Sequence, residues 1–171
     1  DSYIRLLQHF KGWYIQTDVD IFDPSEFIMM DFRLQWKETT SFTYVLPISA
    51  RKALVEFTLF TQTLISSSEY DSMLRRYLAE VLKIDRYTIN EVETGVIPMS
   101  NYPFHKHNTR RITKIGTGGG WVKPSSGYSF KNSDRFSKKI IENIKRGVRP
   151  SAGIALGRFR KYDSLFLDVL T

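Results

Sequence analysis

A chain of 171 residues with 42 % hydrophobic residues, 14 % aromatic residues and no cysteine suits one packed domain, or one domain with part of another. The absence of cysteine excludes disulfides, thiolate metal sites and cysteine nucleophiles. No stretch approaches the ~20 apolar residues that span a bilayer, and no signal peptide opens the chain. The net charge of +7 is uneven: residues 105–171 hold 15 Lys+Arg against 4 Asp+Glu, while residues 1–104 are net −4. The basic part can attract nucleic acid, an anionic membrane face or a phosphorylated cofactor. No zinc-finger or RRM signature supports nucleic acid.

In chain order, Phe10 to Ile21 alternates loosely, with Trp13, Ile15, Val19 and Ile21 as strand residues, and Asp23-Pro24-Ser25 is a turn. Phe27–Arg33, Phe42–Pro47 and Ala53–Phe60 read as strands, and Tyr87–Pro98 as a further one. An antiparallel sheet is predicted from about residue 13 to 60 and again near 89 to 97. Ser66 and Glu69 form a capping box, and the helical spacing that follows predicts a helix from about Glu69 to Leu82. It should pack on the sheet through Tyr70, Leu74, Tyr77, Leu78 and Val81. Asn101–Thr109 is a polar loop and Arg111–Ile115 a short strand. A helix ending near Arg146 follows, with Phe136, Ile140 and Ile144 on one face and Gly147 as its stop. Residues 150–157 read as a turn region, and the end of the chain as the start of another helix.

Five of the ten glycines fall between Gly116 and Gly127. The link Gly116-Thr117-Gly118-Gly119-Gly120 is expected to join the strand before it to the helix after it. Such a link lets a ligand approach the main chain and offers free N–H groups to an anion. A tight turn with a closely packed helix accounts for the same glycines. The segment contains neither a G-x-G-x-x-G fingerprint nor a Walker A loop. Lys123 can neutralise negative charge nearby.

Two carboxylates stand in apolar strands. Alternation places Leu54, Glu56 and Thr58 on one face and Val55, Phe57 and Leu59 on the other. A Glu56 carboxyl held in an apolar cavity has a raised pKa and acts as an acid near neutral pH; a solvent-facing Glu56 satisfies the same pattern. Asp31, at the end of Phe27–Met30, is the second candidate acid, and equally a strand end at the surface. His9, His105 and His107 show no metal-binding spacing, and no metal site is expected.

Several ordered segments together resemble the FAD-dependent lycopene cyclases. They are Gln8-His9-Phe10-Lys11-Gly12-Trp13, Asp23-Pro24 through Met30-Asp31-Phe32, and Tyr44-Val45-Leu46-Pro47 through Leu54-Val55-Glu56-Phe57-Thr58. The last is Ile97-Pro98-Met99 through Gly116–Phe130. The resemblance spans about residues 8 to 147. It implies an α/β, α+β-like chain: residues 1–108 as part of a substrate-binding domain with an antiparallel sheet and packed helices, and residues 109–171 as the returning strand and helix of an FAD-binding domain. It implies an enzyme that closes the end rings of a linear carotene without net redox change. Reduced FAD would lie against Gly116, Thr117, Gly118, Gly119, Gly120 and Lys123, and Glu56 would be the general acid.

Glu56 matches the first acid of the family's F-L-E-E-T motif, whereas Phe57 replaces the second. Peripheral contact with membrane lipid, a cytoplasmic location and no nucleic acid are the corresponding expectations. The abrupt start at Asp1 and the apolar end at Thr171 suggest a piece of a longer protein, one that lacks the family's N-terminal dinucleotide-binding unit. Two other readings remain. One is a related flavoprotein, a monooxygenase or isoprenoid reductase, although those carry Gly-Asp where this chain has Gly116-Thr117. The other is a basic, non-enzymatic module for lipid or nucleic acid.

Overall fold

The computed structural model describes residues 3–154 and 159–170. Strands β1 (Leu6–Gln16), β2 (Ile28–Asp31), β3 (Thr40–Ser49), β4 (Lys52–Thr61) and β5 (Thr88–Met99) form one sheet in the order β2-β3-β4-β1-β5. The pairs β1–β4, β2–β3 and β3–β4 are antiparallel. Helix α1 (Ser67–Arg76) runs into a π-helical turn, Tyr77–Val81, and α2 (Phe130–Lys145) and α3 (Phe159–Leu170) complete the chain. The mixed α/β class with an antiparallel sheet is as expected from the sequence.

The chain forms two compact units, residues 7–96 and residues 1–6 with 97–171. The division falls inside β5. Polar turns around Asn101–Thr109 pack within the second unit, where Tyr102 meets Tyr3 and Phe104 edge-on at 5.1 and 4.9 Å.

In the first unit, α1 packs on one face of the sheet. Trp13, Ile15, Val45, Val55, Phe57 and Leu59 meet Tyr70, Met73, Leu74, Tyr77 and Leu78 in one buried cluster. Each large apolar side chain withdrawn from water there stabilises the fold by roughly 1.5–3 kcal/mol. The helix starts where the capping box predicts. Ser66 accepts from the Glu69 N–H, and the Glu69 side chain accepts from the Ser66 N–H at 2.9 Å. It ends through bonds from Leu82 N–H to Tyr77 C=O (3.1 Å) and Ile84 N–H to Leu78 C=O (2.8 Å). Lys83, at φ +58°, takes the left-handed position usually given to glycine.

The strand expected from Phe10 to Ile21 ends at Gln16, and Val19 and Ile21 are exposed in the following loop. There Thr17, Ile21 and Phe22 donate their N–H groups to the carbonyls of Arg51 or Ala50, which closes turns instead of a ladder. β2 carries a bulge. Ile28 pairs with Val45 and Asp31 with Thr43, so one extra residue lies between them, and Met30 takes φ +55°. Without the bulge Asp31 would share the face of the exposed Phe27 and Met29. With it, Asp31 turns to the helix side and is 9 % exposed.

In the second unit, Trp121, Phe136 and Ile154 form a small core with Ile140 against it. Gly147, at φ +67°, ends α2 as predicted. The expected face of α2 is corrected at one position: Ile144 is exposed and Asn143 is buried. The Asn143 amide donates to the carbonyls of Pro150 (2.9 Å) and Ala152 (2.8 Å), which turns that edge of the helix inward. Turns occupy Ser151–Gly153, and residues 155–157 of the expected turn region lie outside the described residues.

Candidate active site

Glu56 lies mid-strand in β4, opposite Gly12 of β1 and Tyr44 of β3. Its alternation is as the sequence predicts. Val55, Phe57 and Leu59 are fully buried on the α1 side, whereas Glu56 shares the other face with Leu54, Thr58 and Phe60. The neighbouring strands add Phe10 and Tyr14 from β1, and Phe42 and Tyr44 from β3. Phe42 is the centre of an aromatic group, with Phe32, Tyr44 and Phe60 edge-on at 5.6, 5.2 and 5.6 Å. The electron-rich faces of such rings favour a nearby cation.

The Glu56 carboxyl is half-buried and accepts a hydrogen bond from Thr58 Oγ1 at 3.0 Å. Burial pushes its pKa up to about 7; the Thr58 bond opposes this, and the neighbouring Glu93 carboxyl raises it further. A carboxyl poised there keeps its proton in a substantial share of molecules near neutral pH and can donate it. Phe57, at the position where the family motif has a second acid, points into the core beneath α1. An acid at position 57 would face away from Glu56.

Asp31 is a different kind of carboxylate. Arg33 donates to it through Nε (2.9 and 2.8 Å), Nη2 (2.5 Å) and its backbone N–H (3.0 Å), and Tyr77 Oη donates at 2.6 Å. The Arg33 bonds, against the effect of burial, hold its pKa down at about 2. At neutral pH Asp31 carries no proton to give. Its geometry is that of a structural anchor between β2 and the end of α1.

The glycine link differs from expectation at both ends. Residues 111–115 are not a strand, because side chains take up their N–H groups locally. Thr109 Oγ1 accepts from Arg111 and Ile112, and Asn108 Oδ1 from Lys114. Beyond Gly120 the chain first makes a turn in which Lys123 C=O accepts from Ser126 and Gly127, and α2 begins only at Phe130.

The link itself is a 3-10 turn, Thr117–Gly119. Gly116 (φ +57°) and Gly120 (φ +73°) hold conformations that suit glycine. Gly119 is held by packing, since a Cβ there would lie 2.4 Å from Lys114 O. Gly118 has no such local reason, as a Cβ on it would meet nothing within 4 Å. Among the described residues, neither Thr117 nor Gly118 donates its N–H to a backbone carbonyl. With Tyr102, Phe104 and Val122, Thr117 and Gly120 line a narrow cleft. Lys123 is exposed. Open main chain, two N–H groups that no backbone carbonyl among the described residues accepts, and an apolar cleft wall fit one end of an anionic, partly aromatic group.

The described residues contain no cluster of three or more His, Asp or Glu side chains able to hold a metal ion. His9 is buried on the α1 side, bonded through Nδ1 to Tyr70 Oη and through Nε2 to Thr61 Oγ1 at 2.6 Å, and burial lowers its pKa. His107 stacks on Tyr102. The sequence reading missed Gly12, Tyr14 and Glu93 as neighbours of Glu56. Asn90-Glu91-Val92-Glu93-Thr94 reads as a solvent-facing strand, and only the strand order reveals what lies beside it.

The architecture is shared with a geranylgeranyl bacteriochlorophyll reductase-like protein from Thermoplasma acidophilum. The TM-score is 0.62 at 15 % identity, over 95 % of this chain and 39 % of that one. At that identity the likeness shows the fold, and the chain spans about two fifths of that protein's length. A family model described as lycopene cyclase protein matches residues 2–163, and the chain belongs to the lycopene cyclase family. No curated protein matches the sequence.

Proposed function

We propose that the complete protein cyclises the end groups of a linear carotene without net redox change, with Glu56 as the general acid. The observation that carries this reading is the Glu56 carboxyl. It stands mid-strand on an aromatic sheet face, with its pKa near 7, in a chain of the lycopene cyclase family. The protonated carboxyl gives its proton to the terminal double bond: the Oε–H bond breaks and a C–H bond forms. The cation closes the ring, and loss of a ring proton restores a double bond, so the product is an isomer of the substrate. Phe10, Phe42, Tyr44 and Phe60 provide the apolar, electron-rich surroundings that such a cation needs.

FAD is the cofactor that the family implies. Gly116, Thr117, Gly118, Gly119 and Gly120, with Lys123, are the residues that would hold it. Reduced FAD would supply electron-rich stabilisation of the cation. Carotene is a membrane-soluble substrate, so we further propose a peripheral, cytoplasmic-side contact with lipid. No helix among the described residues is long and apolar enough to cross a membrane.

The test is product mass. Incubating the complete protein, loaded with reduced FAD, with a linear carotene should give a cyclic product of unchanged mass. A gain of two hydrogens would show a reductase, and a gain of oxygen a monooxygenase. Glu56→Gln should lower ring formation by about 10²-fold or more at equal flavin loading. Near-normal ring formation by that variant removes Glu56 from the mechanism.

A further inference from the structure

A second carboxyl stands beside Glu56, supplied by another strand. In the β1–β4 ladder Gly12 is directly opposite Glu56. Gly12 has no Cβ, and the space one would fill is taken by Glu93: Cγ lies 3.1 Å and Oε1 3.2 Å from that point, with Leu54 Cδ1 at 2.8 Å. Glu93 reaches across from β5, where Phe10 lies over Gly95 and Asn90 bonds Gln16, so β1 and β5 run antiparallel. Tyr14 Oη donates to Glu93 Oε2 at 3.3 Å. Two carboxyl groups and a phenol thus meet over one glycine.

We propose that Glu93 is a positioning residue that keeps the proton on Glu56. Its carboxylate accepts the hydrogen bond of the protonated Glu56 carboxyl across the Gly12 notch, and Tyr14 holds it in place. The inference rests on the reading of Glu56 as the acid. When Glu56 has given its proton away, two carboxylates lie side by side. That arrangement is unfavourable until Glu56 regains a proton, so the pair resets the acid after each ring closure. The groups facing Glu56 are Thr58 from its own strand, Gly12 and Tyr14 from β1, Tyr44 from β3 and Glu93 from β5. Glu91 adds negative charge near Tyr14. Glu93 is the group whose charge both raises the Glu56 pKa and lies within hydrogen-bonding reach of it.

The experiment is an infrared titration of the complete protein. It follows the C=O band of the protonated Glu56 carboxyl against pH, with the band assigned by its loss in Glu56→Gln. Glu93→Gln removes one negative charge at nearly constant shape. The Glu56 midpoint should then fall by about half a pH unit or more, and the alkaline limb of ring formation should move with it. Glu93→Asp retains the charge and should restore most of the midpoint. An unchanged midpoint in a folded Glu93→Gln protein overturns the proposal, and so does a Glu93→Asp protein that behaves as Glu93→Gln.

Should Glu93→Gln fail to fold, Gly12→Ala reads the same quantity, because its methyl group meets the Leu54 and Glu93 side chains and pushes the Glu93 carboxyl from the notch. A midpoint unmoved by Gly12→Ala then decides against the pair. Ring formation that survives Glu56→Gln, beside a midpoint that still shifts in Glu93→Gln, would remove Glu56 from the mechanism and leave the carboxyl pair standing.

Discussion

The hydroxyl of Tyr77 donates to the carboxylate of Asp31 at 2.6 Å and so ties the end of α1 to the edge strand β2. Tyr77 is fully buried, and burial together with the Asp31 charge holds its phenol above the usual range. The bulge at Met30 is what aims Asp31 inward to meet it.

Asp31→Asn should therefore destabilise the fold by roughly 1–3 kcal/mol in urea denaturation, because the buried Tyr77 hydroxyl loses a charged acceptor. The pH dependence has a definite sign. The pKa of Asp31 is lowered to about 2 from 3.8, so its contribution is present above about pH 3.8 and is lost as pH falls through about 2. Equal acid stability of wild type and variant at pH 5 would count against the anchor role.

Glu56 has the opposite sign. Its folded pKa is raised from 4.5 to about 7, so its environment favours the protonated form. The carboxyl costs nothing below about pH 4.5. Its ionisation penalty grows between about pH 4.5 and 7 and is complete above that. Glu56→Gln should thus be more stable than wild type at pH 8, by roughly 1–3 kcal/mol, and equal to it at pH 4. Thermal melts across that range check it, and a variant less stable at pH 8 would refute it.

The glycine link allows a paired comparison. Gly119→Ala brings its methyl group to 2.4 Å from Lys114 O, so the turn must deform. Gly118→Ala meets nothing within 4 Å. The melting temperature should drop for Gly119→Ala and hold for Gly118→Ala, while Gly118→Ala should lower flavin content if the cofactor lies against that residue. Full flavin loading of Gly118→Ala would place the cofactor elsewhere.

On α2, Asn143→Ala should destabilise by about 1–3 kcal/mol, since the carbonyls of Pro150 and Ala152 lose their donor. Ile144→Ser, on the exposed side, should stay within about 0.5 kcal/mol of wild type. Chemical denaturation of the two variants distinguishes this face from the one centred on Ile144.

Much of the fold was legible in the sequence because local patterns determine it. The capping box at Ser66 and Glu69, the helical spacing of Tyr70, Leu74, Tyr77 and Leu78, and the two-residue alternation around Glu56 each act within a few residues. The tertiary structure alone decided what stands beside them. Strand order brings Glu93 of β5 and Gly12 of β1 to Glu56, although 37 and 44 residues separate them in the chain. The bulge at Met30 turns Asp31 from a candidate acid into an ion-paired anchor, and hydrogen bonds from Asn143 bury an amide where periodicity favoured Ile144. Long-range pairing sets the charges and the solvent around a carboxyl, and those surroundings, more than the residue type, determine whether it keeps its proton.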